Sequence, residues 1–158
     1  MEPFYADRKN LVMSSDTVWA CERSVDVEVP ASFAWQYMTD VRNWSDPPAE
    51  FVLDGPFVVG GRGTTRMPGQ ADRDWTIADV TPGRGYTLRT AVAEHVFILF
   101  HWRFDPVTDQ RAKLTQRVEL YGENAAEYIS DIQSAFEPHL EPGMRRIAAM
   151  MSRAAQTL

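Results

Sequence analysis

Two of the three histidines in the chain, His95 and His101, bracket the apolar run in "EHVFILFHWRFD". Paired histidines can ligate a metal or shuttle a proton. On one unbroken strand, residues six positions apart share a face and stand roughly 20 Å from each other. Two ligands of one ion lie far closer than that, so the spacing gives no shared metal site. Alternation then turns Ile98, Phe100, Trp102 and Phe104 inward, and His95, Phe97, Leu99, His101 and Arg103 outward. Phe97 and Leu99 on the outer face call for a cover, which the N-terminal residues or a second copy of the chain would supply. His139, in "FEPHLEPGM", reads as a solvated histidine at a helix end, with a place at a cavity mouth as the alternative.

Other candidate groups carry less chemistry. Asp40, Asp46 and Glu50 surround Trp44 in "DVRNWSDPPAEF", but the oxygens are too few and too widely spaced for a calcium loop. Asp40 reads as a cap or turn residue. "GGRGTTRMPG" has neither a dinucleotide nor a phosphate-loop spacing, and a strand follows it where a phosphate cradle needs a helix. CxxC and HExxH are absent, and the single cysteine, Cys21, reads as inert packing. Asp72 and Asp74 fall in a turn or on a polar face. Gln116 is the clearest polar candidate. It shares parity with Leu114, Val118 and Leu120, and a buried amide must find partners, in the protein or on a ligand. By the same alternation Thr65 and Met67 point inward on their strand, and so does Trp75 with Ile77.

These residues need elements to hold them. Val25, Val27 and Val29 alternate with Ser24, Asp26 and Glu28, a half-buried strand ended by Pro30. Phe33, Ala34, Tyr37, Met38 and Val41 recur at helical spacing and stop at "SDPP". Residues 50–120 then read as strands separated by turns every eight to fourteen residues, with "PVTDQ" as the last turn, a pattern that indicates an antiparallel meander. From about Glu123 to Gln156 an apolar stripe runs through Ile129, Ile132, Phe136 and Leu140 to Met144, Ile147 and Met151. Pro138 and Pro142-Gly143 predict a kink or break in that helix. The order predicts an α+β fold, a curved antiparallel sheet of about six to seven strands with one long C-terminal helix across it. Residues 1–16 form an N-terminal arm and 17–158 a single domain.

Composition narrows the function. The chain has 158 residues and a net charge of −6, which argues against nucleic-acid binding. The longest uncharged apolar stretch, Val96 to Phe100, is too short for membrane insertion. The N-terminus has no signal-peptide pattern, and one cysteine fits a cytoplasmic location. The abundance of Trp, Phe and Met suits a core and equally a greasy cavity.

Four motifs in order resemble one superfamily. "VDVEVPASFAWQYMTDVRNW" resembles its opening strand and helix, "VGGRGTTR" a turn before its third strand, and "DWTIADVTPGRGYTLR" its paired strands around a "V.P" turn. "WRFDPVTDQRAKLTQRVELYG" resembles its closing hairpin, with Ala112-Lys113 where Gly-Thr is usual. The chain thus resembles the SRPBCC (START-like, Bet v 1-like) superfamily over about residues 17–156, and within it the polyketide cyclase/dehydrase-like and lipid-transport-like bacterial members. The resemblance implies a helix-grip fold with short helices after the first strand and a hydrophobic pocket between sheet and C-terminal helix. It implies no catalytic set, metal or cofactor.

The expected function is binding of a small hydrophobic, aromatic or lipid-like molecule in that cavity. Trp44, Met67, Trp75, Phe100, Trp102 and Phe104 would line it from the sheet side, Met144, Ile147 and Met151 from the helix, and Gln116 would orient the ligand. One alternative is a metal-free cyclase/dehydratase-type lyase, which would need a titratable group facing the cavity. Another is a protein-interaction module, or a homodimer, through Phe97 and Leu99.

Overall fold

The computed structural model describes residues 16–44 and 48–157. The arm expected over residues 1–16 therefore lies almost wholly outside the described residues, as does Asp46. Strand β1 (Thr17–Val27) leads into helix α1 (Ala31–Met38) and a short 3-10 turn at Val41–Asn43. Six strands follow: β2 (Glu50–Asp54), β3 (Arg62–Arg66), β4 (Arg73–Thr81), β5 (Gly85–Ala93), β6 (Val96–Thr108) and β7 (Arg111–Gly122). A 3-10 turn at Ala125–Tyr128 opens into the long helix α2 (Ile129–Gln156).

All seven strands form one antiparallel sheet in the order β1-β7-β6-β5-β4-β3-β2. The meander β2 to β7 pairs neighbours in sequence, and β1 closes on β7. Register slips at Ile77/Asp79, Ala91/Ala93 and Pro106/Thr108 mark bulges, the local device by which a sheet bends. Helix α2 lies along β1 and β7. This is the helix-grip arrangement.

The core lies between the inner sheet face and the two helices. One cross-strand row runs Cys21, Val118, Phe100, Leu88, Ile77, and another Val25, Leu114, Phe104. Ile132, Leu140, Met144 and Met151 close over it from α2. The alternation along β6 is as expected, with Ile98, Trp102 and Phe104 buried in this core.

Four local expectations change. Helix α2 runs unbroken through Pro138 and Pro142. Each proline removes a hydrogen bond, to the carbonyls of Ser134 and Pro138 respectively. The buried stripe on both sides of the prolines holds one face of the helix on the sheet regardless. Strand β6 continues through Pro106 to Thr108, so the "PVTDQ" turn narrows to Asp109-Gln110, with the proline taken up at the bulge. Met67 falls just beyond the end of β3, where alternation no longer fixes its face. His95 is not on a strand at all. It sits in the β5–β6 turn with φ 61°, beside Glu94, so the face shared with His101 does not apply to it.

Candidate functional site

The outer face of the sheet holds the first candidate. Thr87, His101 and Arg117 lie in register across β5, β6 and β7, with Glu119 two residues beyond Arg117. The Thr87 hydroxyl is 2.8 Å from His101 Nδ1, and His101 Nε2 is 3.3 Å from the Glu119 carboxylate. A neutral imidazole satisfies both contacts, with Nε2–H donating to the carboxylate and Nδ1 accepting from the hydroxyl. The trio resembles the hydroxyl, imidazole and carboxylate of a hydrolytic relay. Access excludes that role, because Thr87, His101 and Glu119 are 1%, 3% and 1% exposed. His101 thus faces outward as expected, yet it is buried within a single chain and is no surface residue. Leu99 beside it is also fully buried, and Tyr121 stacks on Phe97 with Arg89 over the Phe97 ring. A second copy has no Leu99 surface left to cover.

At the far end of the inner face the aromatics fill space. Trp44 packs against Phe51, Phe57, Trp75 and Tyr86. Its indole N–H and the Tyr86 hydroxyl both donate to the Met38 carbonyl, at 2.8 and 3.2 Å. That carbonyl ends α1 and has no partner within the helix, so the two aromatics cap it. Burial pushes the Tyr86 phenol well above its ordinary range. Gly63 lies opposite Trp75, whose ring occupies the place a Cβ would take. Trp102 stacks on Phe104. The residues expected to line a cavity here, Trp44, Trp75, Trp102 and Phe104, are packed against one another or against neighbouring aromatic rings, and Met144 and Met151 are buried in the core.

Open space lies nearer the β1 edge. A groove of about 780 Å³ runs between Arg23 of β1 and the first half of α2, lined by Ile129, Ser130, Gln133, Ser134 and Glu137. Pro138 also lines it, so one of the carbonyls freed by the helix prolines, that of Ser134, belongs to a groove residue. None of the ten expected lining residues borders this groove. Two of them, Gln116 and Phe100, lie next to elements that form it. Arg23 pairs across the ladder with Gln116, which pairs with Trp102. Gln116 and Phe100 are half-buried on the inner face, as Arg23 is, and Ile147 of α2 is half-buried too. Phe100 meets Phe136 of α2 edge to face at 5.5 Å.

Arg23 is the residue the sequence reading passed over. The alternation of Val25, Val27 and Val29, carried back one step, puts it on the inner face with Cys21 and Val25, both in the core. Chemically the patch offers a guanidinium, an amide and two serine hydroxyls beside an apolar wall. Among the described residues no cluster of His, Cys, Asp and Glu could hold a metal, and no helix is long and apolar enough to cross a membrane. His139 is exposed on α2 and does not line the groove.

Comparison with known proteins bears on the fold. A family model described as polyketide cyclase/dehydrase and lipid transport matches residues 18–156. No curated protein sequence matches the chain. Among solved structures, norcoclaurine synthase from Thalictrum flavum, in complex with dopamine and hydroxybenzaldehyde, superposes with a TM-score of 0.68 at 12% identity over 90% of each chain. The Zhui aromatase/cyclase from Streptomyces sp. R1128 gives 0.64 at 18% identity, over 87% of this chain and 95% of the other. Ara h 8.0201 gives 0.62 at 12% identity, over 89% and 99%. At these identities the likeness is one of fold.

Proposed function

The chain belongs to the polyketide cyclase/dehydrase and lipid transport family, and from that premise we propose that it binds a small, largely apolar molecule between the inner sheet face and α2. The observation that carries the reading is the groove between Arg23 and the first half of α2, with the half-buried Gln116 paired beside Arg23 and Phe100 in contact with Phe136 of α2. Apolar surface of a ligand laid there leaves water, worth about 25 cal/mol per Å² before ordering costs. Gln116 keeps the orienting role expected of it. Trp44, Trp75, Trp102 and Phe104 serve as the rigid wall behind. A reducing, cytoplasmic setting fits the single buried cysteine.

Calorimetric titration with decanol and with naphthalene-type aromatics tests the reading. Saturable one-to-one binding that Phe100→Ala weakens supports it. No binding by any apolar probe sinks it.

A second reading, a cyclase/dehydratase-type lyase, gains one supporting observation. Glu137 lines the groove and supplies the titratable group such chemistry needs. Turnover of a poly-β-ketone thioester by the protein, lost in Glu137→Gln, is the result that would favour it. The interaction-module reading draws no support from Leu99, which is sealed within one chain.

A further inference from the structure

The proposed cleft has one charged residue on its sheet wall, and that residue is unlike the other arginines among the described residues. Arg42, Arg66, Arg103, Arg111, Arg117 and Arg145 each meet a carboxylate. Arg89 stands over the Phe97 ring. Arg62, Arg73, Arg84, Arg146 and Arg153 are exposed to water. Arg23 is half-buried on the inner face, and among the described residues its guanidinium makes one hydrogen bond, from Nη1 to the Glu22 carbonyl at 2.8 Å. A guanidinium has five N–H donors, so most of those of Arg23 remain available to a ligand in the groove.

We infer that the ligand of this cleft is an amphipathic acid whose carboxylate is held by Arg23. The inference rests on the binding reading above and specifies its ligand class. Arg23 and Gln116 are directly opposed on neighbouring strands, so their side chains start about 5 Å apart on one face. The Gln116 amide makes no hydrogen bond among the described residues. A carboxylate accepts two parallel N–H bonds from the guanidinium and another from the amide, a geometry that matches its planar head. Ser130 and Ser134 face the same groove from α2. The apolar body then extends over Phe100 towards Phe136 and Ile147.

Charge decides which acid. Glu137 shares the groove and makes no ion pair with Arg23, so its field opposes anions. One guanidinium against one nearby carboxylate suits a monoanion and disfavours a phosphate dianion, which would need a second cation. The protein's net charge of −6 gives no general attraction for anions, so selectivity must come from Arg23 itself.

The test compares decanoate, decanol and decyl phosphate on the full-length protein by calorimetry at neutral pH. Wild type should bind decanoate at least about tenfold more tightly than decanol, the usual gain from a charge-assisted pair. Arg23→Gln should remove that advantage and leave decanol within about twofold. Arg23→Lys should restore part of it, which separates loss of charge from loss of fold. Glu137→Gln should tighten decanoate. Equal binding of acid and alcohol by wild type, or tighter binding of decyl phosphate, overturns the inference while the binding reading stands. If neither decanoate nor decanol binds, the binding reading falls and takes the inference with it.

Discussion

Gly63 has no room for even a methyl group, because the Trp75 ring fills that place. Gly63→Ala must push the ring against Trp44, and overpacking of this kind costs about 1–3 kcal/mol. Urea denaturation should show that loss, and an unchanged midpoint would mean the ring is free to move. On the outer face, Glu119→Ala leaves His101 Nε2 and the Arg117 guanidinium short of a partner. Breaking a buried charged contact costs about 3 kcal/mol or more, and Glu119→Gln, which keeps an acceptor, should cost less. Neither change should alter ligand binding, since the network lies across the sheet from the cleft. A Glu119 variant that folds normally but loses binding would contradict this division of the two faces. Residue-level facing was legible along β6 because strict alternation of apolar side chains is a local signal. That His101 would be buried on the outer face was not legible, because what covers a sheet is a long-range property. Arg23 could have been found by extending the β1 alternation past Val25. Net charge and side-chain class masked it.

Among the elements, α2 carries the sharpest departure from expectation. Proline in a helix interior costs roughly 3 kcal/mol in isolation, and two of them four residues apart predict a break. Burial of Ile132, Leu140, Met144 and Met151 against the sheet outweighs that cost, a balance that periodicity in the sequence indicated only as a stripe on each side. Restoring one N–H should therefore stabilise the protein. Pro138→Ala is expected to raise stability by about 1 kcal/mol, net of the entropy the unfolded chain regains. A thermal melt checks the sign, and a lower melting temperature would show that the proline shapes the helix for packing. The strands of the meander were legible because turn residues and alternation recur together. The exact ends of β6 were not, because the bulge at Pro106 lets pairing run on past a residue that ordinarily stops it. The expected cavity set was partly misplaced for a related reason. Large aromatics signal an interior but do not say whether they pack on one another or on a ligand. Here the capping of the Met38 carbonyl by Trp44 and Tyr86 commits those two rings to the fold.

For the molecule as a whole, two buried phenols, Tyr86 and Tyr121, and the half-buried Tyr37 work against stability at alkaline pH. Burial raises Tyr86, Tyr37 and Tyr121 above the ordinary value of 10.0, with Arg153 opposing the shift at Tyr37 and Arg89 at Tyr121. An acid whose folded-state pKa lies above its unfolded value favours the neutral, folded form. The stability it contributes is therefore complete below about pH 10 and is lost as pH rises through the folded value. Ultraviolet titration should show Tyr86 ionising only with cooperative unfolding above pH 10. Early, reversible ionisation of every tyrosine at its ordinary pH would contradict the packing around it. The central claim, a ligand cleft between β1, β7 and α2 with Arg23 at its polar end, is tested most directly by mapping amide resonances during titration with decanoate. The account predicts saturable shifts around Arg23 and Gln116 and along residues 129–138 of α2, needing about tenfold more decanoate in Arg23→Gln and absent at Thr87 and His101. No shifts at saturating ligand, or shifts confined to the outer sheet face, would contradict it.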